Sequence, residues 1–151
     1  MALKVSKVEV WAVEMVDQPG GLAGALEPLA GTGASLECLI ARRRPDKPGS
    51  GVAFITPVKG KKATEAARAA GWAPASNIPT LRVEGPDKPG LGAKLLRAIS
   101  DAGVSVRGVS AAVLGRNFIA YIGLDSSEDA DKAARAIKAA DKVAARKPAR
   151  R

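Results

Sequence analysis

The sequence predicts an α+β protein made of two ferredoxin-like βαββαβ units in tandem, with antiparallel sheets and helices on one face. Three observations carry that expectation. Asp17-Gln18-Pro19-Gly20-Gly21-Leu22 and Asp87-Lys88-Pro89-Gly90-Leu91-Gly92 lie 70 residues apart, each between an alternating apolar run and a helical pattern. Each helical pattern ends at a glycine, Gly33 or Gly103, followed by Ala34-Ser35-Leu36 or Val104-Ser105-Val106. Composition supplies the third: 46% hydrophobic and 26% charged residues fit a soluble globular protein, while 3% aromatics leave the core to Val, Leu, Ile and Ala. The repeat divides the 151 residues into a first domain over 1–77, a second over 78–141 and a basic, disordered tail over 142–151. Units this small bury a limited core, so contacts with each other or with a second chain matter.

In chain order, Leu3, Val5 and Val8 alternate with polar residues, and Val8 to Val16 runs on as a central strand that stops at Pro19-Gly20. Leu22, Ala25, Leu26 and Leu29 then share one helical face. Pro28 forfeits a backbone bond inside that helix, at about 3 kcal/mol if unrelieved, which predicts a kink or an early end. Ala34 to Arg44 reads as the second strand, with Leu36, Cys38 and Ile40 on one side. Pro45-Asp46-Lys47-Pro48-Gly49 repeats the letters around the second motif but leads into a strand, Gly51 to Val58, and so reads as a hairpin loop. Residues 60–71 form an Ala-rich helix with Ala63, Ala66, Ala67 and Ala70 as its small face, and Trp72 to Ser76 is a short fourth strand.

The second unit repeats this order. Leu81 to Glu84 is a strand, and Leu91, Leu95, Leu96 and Ile99 line a helix. Val104 to Leu114 is the next strand, and its phase slips around Gly108, which predicts a bulge. Gly115-Arg116-Asn117 turns the chain into Phe118 to Leu124, and matching Phe54-Ile55 to Phe118-Ile119 makes the first hairpin six residues longer. Ser126 or Ser127 caps a last helix with Asp129 and Asp131 in its first turn, and fraying is expected from Asp141. No fourth strand follows. The N-terminal segment enters the first unit as Trp72 to Pro79 enters the second, so it is expected to supply the missing strand, in this chain or a partner.

With no His and one Cys, the chain holds no internal disulfide, no Ser-His-Asp or Cys-His catalytic group and no His or multi-Cys zinc site. Glu14 and Glu84 occupy matching strand positions without a metal site or activated nucleophile, so neither catalysis nor a cofactor is expected. The N-terminus lacks a signal-peptide core and no run is long enough to span a membrane, which points to the cytoplasm. Of the +9 net charge, +5 falls from Lys138 onward. That tail and Arg42-Arg43-Arg44 raise the question of nucleic acid, but a sheet that reads RNA stacks bases on exposed aromatics. The third strands offer one Phe each and Tyr121, which favours a solvated basic surface. Cys38 reads as a small buried residue, and Trp11 and Trp72 as core or interface anchors.

The repeated loops are the candidate chemistry. A strand that stops at Asp-x-Pro-Gly and restarts as a helix leaves N–H donors and a partial positive charge for a carboxylate. Asp17 or Asp87 can accept from an ammonium group, so the constellation suits a small zwitterion. The other reading makes each Asp the helix cap, with Pro just inside the helix.

Two copies of strand, Asp-x-Pro-Gly, amphipathic helix, glycine and strand resemble tandem ACT domains over about residues 8–140. These are small regulatory modules of amino-acid metabolism, found attached to enzymes and as stand-alone pairs. The resemblance implies an amino-acid ligand at a domain interface, against Asp17, Gln18, Gly20, Gly21 and Leu22 and against Asp87, Lys88, Gly90 and Leu91. Ser35 and Leu36, or Ser105 and Val106, are further candidates early in the second strand. It implies a homodimer or higher oligomer and a regulated enzyme partner. The alternative is a scaffold that binds no ligand. Because Pro28 interrupts the first helix, the Asp87 loop is the better candidate.

Overall fold

A computed structural model describes residues 3–146. In chain order the elements are β1 (Lys4–Val8), β2 (Trp11–Val16), α1 (Gly21–Ala30), β3 (Cys38–Arg43), β4 (Ser50–Thr56), α2 (Lys61–Ala69), β5 (Ala73–Pro74), β6 (Thr80–Pro86), α3 (Leu91–Asp101), β7 (Gly108–Leu114), β8 (Asn117–Gly123) and α4 (Ser127–Arg146). They form two compact units, one of residues 9–76 and the other of the N-terminal segment through Val8 together with the chain from Asn77 on.

The 9–76 unit holds a four-stranded sheet in the order β3-β4-β2-β5, and every pairing is antiparallel. Alternation along β2 and β4 turns Trp11, Val13, Ala53 and Ile55 inward, where they meet Leu29, Ala67 and Trp72. Both tryptophans are therefore core residues. Trp72 is 2% exposed and its Nε1–H donates to Ala25 C=O at 2.8 Å. The small face of α2 lets it approach closely, with Ala63 and Ala67 buried. Helix α1 runs through Pro28 to Ala30 and is capped by Gly31, so the early end expected at the proline does not occur.

The second unit has the order β1-β6-β8-β7, again antiparallel. β1 stands beside β6 as β5 stands beside β2, so the N-terminal segment of the same chain supplies the fourth strand, with Val5 opposite Val83. Helical spacing buries Leu91, Leu95 and Ile99 of α3, and Ala130, Ala133 and Ile137 of α4, over Leu81, Val83, Phe118, Ala120 and Ile122. Ser126 Oγ accepts the Asp129 N–H at 3.1 Å and so caps α4. This helix continues to Arg146, beyond the expected fraying at Asp141. Residues 147–151 of the basic tail lie outside the described residues.

β7 pairs without interruption from Gly108↔Gly123 to Leu114↔Asn117, and the N–H of Arg107 donates to the same Gly123 C=O at 2.8 Å, so two residues oppose one where the phase slips, as in a bulge. The phase slip marks the entry of an irregular segment, 104–107, into a strand that starts at Gly108, as β3 starts at Cys38. The register also matches Phe54-Ile55 with Tyr121-Ile122, not with Phe118-Ile119, since Ala12 faces Phe54 and Arg82 faces Tyr121. The first hairpin encloses residues 45–49 and the second 115–116, a difference of three residues and not six. Cys38 is half-buried on β3, not buried.

Candidate functional site

Both Asp-x-Pro-Gly loops close by the same backbone contacts. The N–H of Asp17 donates to Gly49 C=O at 2.9 Å, and that of Asp87 to Arg116 C=O at 2.8 Å, tying each loop to the hairpin at the same end of its sheet. Gly21 N–H returns to Gln18 C=O and Leu91 N–H to Lys88 C=O, both at 3.1 Å. Gly24 N–H then bonds Gly20 C=O at 2.9 Å and Lys94 N–H bonds Gly90 C=O at 3.0 Å, which starts each helix.

The caps are Gly20 and Gly90, each at φ +82° with no side-chain hydrogen bond to the first turn. This overturns the reading of Asp17 and Asp87 as caps with Pro just inside the helix, because Pro19 and Pro89 precede the cap. The left-handed backbone is why glycine stands there. Gly90→Ala is accordingly expected to destabilise the protein by about 1–2 kcal/mol, measured as a lower denaturant midpoint. Glycine caps also leave donors free. Among the described residues, no acceptor meets the N–H groups of Leu22 and Ala23 at one loop or of Gly92 and Ala93 at the other.

The loops differ in their side chains. Asp17 is paired with the Arg43 Nε at 2.8 Å, whereas no cation pairs with Asp87 among the described residues. A Cβ on Gly21 would lie 2.6 Å from Val16 O, so this backbone admits no side chain. Leu91 takes the matching place and buries its side chain in the core, leaving its backbone at the loop. Leu22 packs half-buried against the first core, and Gln18 and Lys88 are exposed. Beside the second loop, Glu84, Gly85, Leu114, Asn117, Phe118 and Ile119 line a shallow depression of about 380 Å³.

Ser105 and Val106 precede β7 at the opposite end of the sheet, where Arg107 N–H donates to Gly123 C=O at 2.8 Å. β6 separates them from Asp87 by roughly 20 Å. Ser35 and Leu36 stand likewise before β3, away from Asp17. Within one unit these serines do not join the loops. The open N–H groups expected at each helix start belong to residues 22–23 and 92–93, and the position of the glycine caps decides which they are.

Glu14 and Glu84 are engaged in ion pairs within their own units. Glu14 meets Lys47 and Arg44, and the Lys47 hydrogen bond and charge hold its carboxyl below the ordinary range. Arg44 also meets Asp46, which lowers that carboxyl and raises the guanidinium. Glu84 pairs with Arg82 at 2.9 Å and Lys4 at 3.8 Å. Phe118 and Tyr121 are buried, so they form no open stacking platform for bases. Among the described residues no group of His, Cys, Asp and Glu is placed to hold a metal ion, and no helix is long and apolar enough to cross a membrane.

Residues 80–146 match the family model of the ACT domain. A protein from Bacteroides thetaiotaomicron shares the fold at a TM-score of 0.74 and 18% identity, over 91% of this chain and 90% of that one. The regulatory subunit of aspartate kinase from Thermus thermophilus, in a ligand-free form, gives 0.61 and 22%, over 92% and 95%. The corresponding subunit from Thermus flavus gives 0.59 and 20%, over 93% and 95%. No curated protein matches in sequence.

Proposed function

We propose, from the match of residues 80–146 to the ACT domain model, that the chain is a regulatory protein that binds an amino acid at the Asp87 loop. The observation that carries this reading is the second loop itself. The open N–H groups of Gly92 and Ala93 suit an α-carboxylate, and the Asp87 carboxylate, free of any cation among the described residues, suits the α-ammonium group. Lys88, Gly90 and the Leu91 backbone frame the ligand. The first loop, with Asp17, Gln18, Gly20, Gly21 and Leu22, is mainly architectural because Arg43 already neutralises its carboxylate. Ser105 reaches a ligand only from another copy of the domain.

Output passes through assembly, and through an enzyme partner, since the reading assigns the chain no catalysis of its own. The second copy docks on β7. In an antiparallel ladder, residues alternate between facing the neighbour and facing away. The two-residue turn closes on Leu114↔Asn117, so Val109, Ala111 and Val113 direct their N–H and C=O groups to the free edge. No charge interrupts β7, and Val109 and Val113 are 42% and 51% exposed. A two-fold antiparallel pairing centred on Ala111 sets Val109 opposite Val113 of the partner subunit and satisfies every one of those groups.

A thermal-shift screen with the twenty amino acids tests the ligand. One present at 100 times its Kd adds about 2.7 kcal/mol to the native state. The expected result is a rise in Tm with at least one amino acid, lost in Asp87→Ala and kept in Asp17→Ala. A screen in which none raises Tm would leave the scaffold reading in its place.

A further inference from the structure

We infer that the two long sheet edges are chemically opposite, β7 open to a second copy and β3 shut by Arg42 and Arg43, so that assembly stops at two chains. The inference builds on the β7 docking proposed above, and its novel part is the closed edge.

The two edges are structural equivalents. Arg44 N–H donates to Ser50 C=O at 3.0 Å, which puts Arg44 among the inward-facing residues of its ladder and matches it to Leu114. Leu39, Ala41 and Arg43 therefore direct their backbone groups outward, at the places held by Val109, Ala111 and Val113 on β7. The side chains there are unlike. Where β7 ends in Ala112-Val113-Leu114, the other edge carries Arg42-Arg43-Arg44.

Each exposed arginine obstructs a docking strand in its own way. The Arg42 Nη1 donates to Ala41 C=O at 2.8 Å, so it occupies the outward acceptor at the middle of the edge. Arg43, with its side chain 85% exposed, stands where a pairing in the same register would set it against Leu39 of the partner subunit and strip it of water. Charged side chains are a recurrent means of keeping an edge strand from pairing. The remaining edges offer less: β1 carries Lys4 and Lys7, and β5 is two residues long. A chain with one open edge closes as a two-fold dimer, whereas two open edges would continue into a filament.

Sedimentation velocity on the full chain and two variants tests this. Val113→Arg places on β7 the residue type found at the matching site of β3, and Arg42→Ala with Arg43→Val removes the obstruction from β3. Far-UV circular dichroism verifies the fold, and Val109→Lys reads the same edge should Val113→Arg fail to fold. The expected results are a dimer for the wild type, a monomer for Val113→Arg, and species heavier than a dimer, growing with concentration, for the double variant. A double variant that sediments like the wild type overturns the closure of β3. A monomeric wild type whose double variant dimerises upholds that closure and removes the β7 docking instead. A Val113→Arg protein that stays dimeric overturns the assignment of the open edge.

Discussion

Trp72→Ala is expected to destabilise the 9–76 unit by about 3–5 kcal/mol while the other unit keeps its own transition. The core of this unit has seven buried members, two of them tryptophans, so Trp72 supplies a large share of its apolar contact. The substitution removes that volume and also takes the donor from Ala25 C=O, leaving a carbonyl of α1 without its partner. The thirteen buried members of the second core include none of these side chains. Fluorescence separates the two events, because both tryptophans of the chain belong to the 9–76 unit and Trp11 remains as a reporter. In denaturant, its emission is expected to change at a lower midpoint than in the wild type, with circular dichroism retaining a later transition. A single coincident transition by both probes would show instead that the units unfold together.

The difference between those cores was partly legible in the sequence. Leu91, Leu95 and Ile99 announce a helix face by spacing alone, and the same rule found Leu29 despite Pro28. The loops were legible because Asp-x-Pro-Gly recurs with its downstream glycine. What escaped was register. Phe-Ile occurs in both third strands, and letter matching aligned two pairs that the ladders place three residues apart. Register depends on which carbonyl meets which N–H across a hairpin, and that follows from turn geometry and not from side-chain pattern. The Arg43–Asp17 contact was hidden for the same reason, since it exists only in one register of β3 against β4. The capping residue was misread because Asp, Pro and Gly each favour a helix start. A left-handed backbone at Gly20 and Gly90 decided among them.

The N-terminal strand gives the sharpest test of topology. Val5→Asp is expected to cost about 2–4 kcal/mol, and the cost falls on the unit completed by the chain from Asn77 on, not on the 9–76 unit that follows β1 directly. Val5 stands opposite Val83 and packs against the core of α3 and α4, so a carboxylate there loses water without gaining a partner. Strand pairing from Lys4↔Glu84 to Val8↔Thr80 weakens with it, as does the Leu3 N–H bond to Asp141 at 3.0 Å. The circular dichroism transition of the second unit should move to lower denaturant while tryptophan emission keeps its wild-type midpoint. Lys7→Ala is the control on the same strand, because it removes only an exposed ion pair with Asp131 and should shift the midpoint little. Lys7 holds the Asp131 carboxyl below its ordinary range, so the pair stabilises the fold above that range and fades as pH falls through the lowered value. The small difference between Lys7→Ala and wild type should therefore vanish on acidification, whereas the lost apolar packing of Val5→Asp does not return when the new carboxyl is protonated. A Val5→Asp protein whose tryptophan transition moves first would mean that β1 stabilises the 9–76 unit, against the pairing with β6.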